Sequence, residues 1–245
     1  LRRLASKCAM HHFHQVFARL LEPIQLAAGT PHGTTIQGQI LSVLTEAAQL
    51  AAGHGPAGSQ QSPATASATP TPEDPLVVAL VDYTNAFGSV DRNVLVATAI
   101  AACPPLTNYI HLLYDEPGLL IAQDNMGDVA FFKASEGTSQ GDSLSMAFFS
   151  LALQVVLLPM ACQAAGSTVT PPQLSTTASL SERILHLVQC TGVGITAYAD
   201  DVAVFGPLSR VRPVVLALRE RSERVLGLRS QPAKSRLWLS ASALA

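Results

Sequence analysis

The period of the hydrophobic positions changes along the chain, and each change marks an element. "LVVALV", residues 76–81, is a continuous apolar run rich in β-branched residues, as in a strand buried on both faces. It stops at Asp82. "SVDRNVLVATAIAA", residues 89–102, then offers Ser89 or Asp91 as an N-cap before a helically periodic apolar stretch, which "CPPL" must break. A second helix is predicted over 106–114. "GLLIAQ" and "DVAFFKAS" follow, flanking the turn "DNMG" as a hairpin. The loop "EGTSQGDSLS" leads into an apolar helix from about Leu144 to Cys162. Residues 193–206 form a second hairpin with Asp200 and Asp201 at its tip. After "GP", Val211, Val214, Val215, Leu218, Val225 and Leu226 keep one face of an amphipathic helix, and "RLWLS", 236–240, reads as a last strand. This order predicts an α+β fold, a mainly antiparallel sheet with helices on one face.

Two segments interrupt the pattern. Residues 53–75, "GHGPAGSQQSPATASATPTPEDP", have almost nothing to bury and read as a flexible low-complexity insertion; residues 164–181 are a weaker loop insertion of the same character. At 245 residues the chain can bury a sizeable core. Hydrophobic residues make up 48%, charged residues 13%, and the net charge is −2, so no global basic field advertises nucleic-acid binding. Any such binding must rest on local groups or on flanking segments. "MAFFSLALQVVLLPMAC", residues 146–162, falls short of the roughly 20 residues of a comfortable membrane span and is expected to be a buried core helix, with no membrane partner. The scattered Cys8, Cys103, Cys162 and Cys190 form no CxxC pair, and the opening residues show no secretory pattern. An intracellular setting is expected.

Against this background "AYADDVAVFG", residues 197–206, is chemically odd, because an unpartnered buried carboxylate costs several kcal/mol. Neighbours on a straight strand point to opposite faces, so Asp200 and Asp201 can serve one site only where the backbone turns. If their hairpin lies beside the strand that ends at Asp82, three carboxylates converge at one sheet edge, and their repulsion calls for a cation. Oxygen donors without His or Cys beside them favour Mg²⁺ over Zn²⁺. Two such ions can activate an attacking hydroxyl and stabilise a leaving pyrophosphate oxygen, which implies nucleotidyl transfer.

"VDYTNAF", "SEGTSQGDSLS" and "YADD", in that order, resemble the reverse transcriptase family, specifically the non-LTR retrotransposon type. The likeness runs from about residue 19 to 238, apart from the two insertions. It implies an RNA-directed DNA polymerase of a mobile element, with residues 1–52 as partial fingers and 76–245 as the right-hand palm. Fingers and thumb segments would flank these in a longer polyprotein. It implies that Asp82, Asp200 and Asp201 are the metal-binding catalytic acids for two Mg²⁺ ions, with Mn²⁺ able to substitute. Phe87 matches the aromatic gate under the sugar that excludes a 2′-hydroxyl. The backbone near Asn85 and Ala86 would face the triphosphate, Gln140 and Gly141 would pack against the nucleotide, and Tyr198 would sit below the primer terminus. Lys234 stands where a lysine can protonate departing pyrophosphate. Gln25, Gly29 and Gly33 fit a "Q, Gly, Gly" pattern at the end of the fingers, with His32 near a usually basic position. The implied partners are an RNA template, a DNA primer and dNTPs; nuclear action is implied if the source is a eukaryotic retroelement. An RNA-dependent RNA polymerase shares the palm, but Phe87 leaves no polar group for a 2′-hydroxyl. A catalytically silent, nucleic-acid-binding remnant of such an element is the alternative from another class.

Overall fold

The computed structural model describes residues 1–51, 74–139, 141–164 and 192–239. Gln140, nearly all of the 53–75 insertion and nearly all of the 164–181 insertion lie outside the described residues. The apolar run becomes β1 (Leu76–Val81), and its two-faced burial puts it inside a sheet. That sheet is antiparallel and four-stranded, in the order β4 (Gly194–Tyr198), β5 (Asp201–Pro207), β1, β6 (Arg236–Leu239). Alternation sorts its residues. Val77, Ala79, Val81, Val202, Val204 and Ile195 join the main core, whereas Val78, Ala203 and Phe205 are buried on the opposite face.

The helices are α1 (Arg2–Leu21), α2 (Gly33–Ala51), the single turn α3 (Ala86–Ser89), α4 (Arg92–Ala102), α5 (Thr107–Tyr114), α6 (Ser143–Ala164) and α7 (Leu208–Leu226). α6 is apolar all round, and a helix of that kind must be surrounded. It touches α1, α4 and α7, with Phe148, Phe149, Leu153 and Leu157 fully buried. It is long and apolar enough to cross a membrane, yet 72% of its most apolar stretch is buried within the fold, as the sequence predicts for a core helix. α7 buries Val211, Val214, Leu218, Ser222 and Leu226, one stripe of an amphipathic helix, against β1 and β5. Asp91, rather than Ser89, caps α4, accepting hydrogen bonds from the Asn93 and Val94 amides.

Three features are not announced by the periodicity. The expected hairpin forms as β2 (Gly118–Gln123) and β3 (Val129–Ala134), but as a separate two-stranded ribbon with exposed faces. The N-terminal segment shares the main core, since Phe17, Leu21, Ile24 and Ala28 belong to the same hydrophobic cluster as β1 and α6. Residues 24–26 also extend the sheet. The Ala197 amide donates to the Ile24 carbonyl at 2.7 Å and the Leu26 amide to the Ala197 carbonyl at 2.8 Å, a parallel bridge along β4.

Beyond β1 the chain is fastened to α7 by Tyr83, whose hydroxyl shares a buried 2.9 Å hydrogen bond with Ser222. Burial pushes the Tyr83 pKa up to about 12 from 10.0, against the opposing effect of the Ser222 contact. A raised folded-state pKa means that this contribution to stability is fully present below pH ~10 and is lost as pH rises through ~12. Tyr83→Phe should cost about 1 to 2 kcal/mol by orphaning Ser222 and should flatten that alkaline loss. Tyr83→Phe with Ser222→Ala should cost less than the two single changes together, read by denaturant unfolding between pH 7 and 11.

Candidate active site

The β1–β5 register decides what meets what. Val81 pairs with Val202, so the next residues outward, Asp82 and Asp201, come opposite one another where β1 ends and β5 begins. Tyr198 pairs with Asp201 across the two-residue loop Ala199 and Asp200, so the backbone turns at the acids, as the chemistry requires. On the other side of β1, Leu80 pairs with Arg236, and the turn before β6 carries Lys234 toward the same end. Asp82 is held through its backbone. Its carbonyl accepts from the Gln231 amide at 2.8 Å and its amide donates to Ser235 Oγ at 3.4 Å.

These groups sense one another. Burial raises the pKa of Asp200, and the charges of Asp201 and Asp82 raise it further, while a backbone hydrogen bond and the Lys234 ammonium oppose the shift. Asp201 is raised by burial and then by Asp82. The structure therefore brings together Asp82, Asp200, Asp201 and Lys234, with Tyr198 half-buried beside them. Among the described residues no three His, Cys, Asp or Glu side chains close into a ready-made metal cage. The oxygen-only donor set of the three acids nevertheless suits a hard divalent cation, which would relieve their repulsion.

Just past Asp82, Asn85 takes a left-handed conformation (φ 47°) and opens α3, where Ala86 is buried. Phe87 is half-buried and stacks on Phe149 of α6, with ring centroids 4.5 Å apart and planes inclined by 25°. The loop from Glu136 is clamped onto this turn. Thr138 and Gly137 donate their amides to the Phe87 and Val90 carbonyls at 2.7 and 2.9 Å. A Cβ on Gly137 would sit 2.5 Å from the Phe87 oxygen and from the Gly88 backbone, and φ is +70°, so only glycine fits. Gly141 also has positive φ (+82°) and lies exposed beside Arg3. Gln140 lies outside the described residues.

Sequence reasoning missed Gly137 and Arg2. Arg2 donates to Asp142 at 3.2 Å and to Ser139 at 2.9 Å, so it braces the loop around Gly141 from the far end of the chain. Asp142 is buried and accepts from the Leu144 amide at 3.0 Å, a cap on α6. Gly29 and Gly33 pack against the backbone of α1 and of Leu26, and His32 is exposed with φ 58°. Only "EG" before "TSQG" hinted at Gly137, and nothing local pointed to Arg2.

No protein-family model matches the sequence, and no curated protein does. Solved structures do match in fold. Telomerase from Candida albicans, in complex with a TWJ fragment of telomeric RNA, superposes with TM-score 0.57 at 10% identity over 95% of this chain. Apo telomerase from Candida tropicalis gives TM-score 0.57 at 9% identity over 99% of this chain, and its form truncated from the C-terminal domain gives 0.57 at 11% over 96%. The chain spans 35%, 37% and 41% of those chains, respectively. The fold is thus the palm-like fold found in a polymerase: the order of elements predicts its α+β layering, and the family resemblance implies the palm.

Two consequences are measurable. Because the Asp200 pKa is raised above 3.8 in the folded state, its favourable contribution is present below about pH 4 and lost as pH rises, so the charged acid costs stability at neutral pH. Asp200→Asn should therefore melt higher than the parent at pH 7 without divalent cations, and the gap should close on acidification. Gly137→Ala should destabilise by more than about 2 kcal/mol in chemical unfolding, since it forces both strain and a backbone clash.

Proposed function

We propose that this chain is the palm, with part of the fingers, of an RNA-directed DNA polymerase of the non-LTR retrotransposon type. It extends a DNA primer on an RNA template by attack of the primer 3′-hydroxyl on the α-phosphate of a dNTP. One observation carries this reading: Asp82, Asp200, Asp201 and Lys234 meet at the end of one antiparallel sheet, in a fold shared with telomerase, itself a reverse transcriptase. The RNA in one telomerase structure supports a nucleic-acid partner. The limited share of those chains that is covered supports fingers and thumb segments in a longer polypeptide.

Asp82, Asp200 and Asp201 would hold the cations, Mg²⁺ or Mn²⁺ in its place. When bound, two such ions supply activation of the hydroxyl and neutralisation of the departing pyrophosphate. The chain's own residues do the rest. Phe87, immobilised on Phe149, presents a fixed apolar edge where a 2′-hydroxyl would lie, so deoxyribonucleotides are favoured. The left-handed turn at Asn85 and the buried Ala86 leave backbone amides for the triphosphate. Gln140 and Gly141 pack against the nucleotide, with Gly141 permitting close approach. Tyr198 supports the primer end, and Lys234, exposed and beside Asp200, gives a proton to pyrophosphate.

Incorporation of dNTPs on a primed RNA template with Mg²⁺ or Mn²⁺ tests the reading. Asp200→Asn should lower it by more than about 100-fold. Equal incorporation by both forms would refute the metal role, and none by either, even with flanking segments restored, would favour a silent nucleic-acid-binding remnant. Phe87→Ala should reduce discrimination against rNTPs by about 10- to 200-fold. Unchanged selectivity would sink the gate assignment and reopen an RNA-dependent RNA polymerase.

A further inference from the structure

Gln25 has no exposure to solvent, yet it is not idle. Its neighbours Ile24 and Leu26 bond to Ala197, so its own side chain reaches along the sheet edge to the acid turn. There both halves of its amide engage one residue: Nε2 donates to the Ala199 carbonyl at 2.8 Å, and Oε1 accepts from the Ala199 amide at 3.2 Å. Gln37 of α2, also buried, donates Nε2 to the Asp201 carbonyl at 3.1 Å. Ala199 has φ +54°. Side chains resist that left-handed conformation, and two-residue hairpin loops ordinarily place Gly, Asn or Asp there. A strained alanine immediately before Asp200, gripped on both sides by a buried amide, is strain held in place by its surroundings.

We propose that Gln25, assisted by Gln37, is a positioning residue for the acid turn. It fixes the left-handed backbone of Ala199 and so holds Asp200 and Asp201 in register with Asp82. This rests on the reading of the three acids as metal ligands. A primary amide of this length offers both the donor and the acceptor that Ala199 needs. An ionised glutamate would accept from the amide but repel the carbonyl. A leucine would fill the same volume and leave both backbone groups without partners.

The test uses the full chain and the variants Gln25→Leu, Gln25→Glu, Gln37→Leu and Gln25→Leu with Ala199→Gly, with Asp200→Asn as reference. Binding of Mn²⁺ alone is followed by electron paramagnetic resonance, Ala199 amide exchange by NMR, and folding by thermal melting. Steady-state incorporation completes the set. Gln25→Leu should weaken Mn²⁺ binding by about 10- to 100-fold and lower kcat by a similar factor. KM for the dNTP should change less than about threefold, and Ala199 exchange should accelerate. Gln37→Leu, which loses one bond, should show a smaller effect in the same direction. Ala199→Gly in the Gln25→Leu background should recover Mn²⁺ affinity severalfold, because glycine takes positive φ without a brace.

Gln25→Glu, read at a pH where its carboxylate is ionised, keeps the shape and one bond, and it carries the same expectation if Gln25→Leu fails to fold. The proposal is overturned if folded Gln25 variants bind Mn²⁺ like the parent, or if their deficit tracks unfolded protein and glycine at 199 restores nothing. Loss of Mn²⁺ binding in Asp200→Asn alone would sink only the positioning role. Retention of binding in Asp200→Asn would sink the metal reading itself.

Discussion

Backbone pairing between β1 and β5 is the constraint on which the candidate site depends. Side chains alternate with a period of two, so a slip of one residue would turn Val77, Ala79 and Val81 away from α6 and α7. The same slip would move Asp82 away from Asp201. Core packing and the juxtaposition of the acids are therefore fixed by the same hydrogen bonds. Apolar burial on both faces of β1 makes any other register costly, and carboxylates that repel one another at the strand ends cannot shift it. Stability made in the valines is what tolerates the unfavourable charges at the tip.

Around this register the remaining parts are tied by backbone contacts from distant segments. The turn before β6 holds Asp82, the loop at Gly137 holds α3 and hence Phe87, and the parallel edge at residues 24–26 holds β4. Arg2 reaches Asp142 and Ser139 to brace the loop that carries Gly141. Residues 1–37 thus behave as structural members of the sheet and its core. Phe17, Leu21 and Ile24 are as deeply buried as the strands.

Much of this was legible in the sequence, and the limits have physical causes. β1 and α7 were readable because burial imposes a local period, continuous for a strand closed on both faces and 3.6 for a helix with one face in the core. The acids were readable because two adjacent carboxylates in an apolar stretch demand a turn and a partner. α3 was not, since four residues hold no period. Gly137, Arg2 and the parallel edge at Gln25 were hidden for another reason: each acts across long chain separations, through contacts that leave no periodic trace. A cap at Ser89 or Asp91 was readable because capping is local chemistry, whereas the choice of Asp91 over Ser89 depended on where α3 ends.

On the proposed reading, electrostatics gives the site its own argument for cation dependence. The substrate is a polyanion and the chain carries a net charge of −2, so no long-range field draws a nucleotide toward the sheet end. The local groups are worse than neutral. Asp82, Asp200 and Asp201 stand against a single ammonium, Lys234, among the groups that shift Asp200. A triphosphate brought there without counter-charge would meet repulsion that partial burial strengthens, because lower local polarity screens it less. Divalent cations bound there would reverse the sign of the site, and the same ions would relieve the repulsion among the acids that, with burial, raises the Asp200 and Asp201 pKa values. Apo-state repulsion and substrate recruitment are then two sides of one electrostatic design, and the backbone that holds the acids in place has to work hardest before any ion arrives.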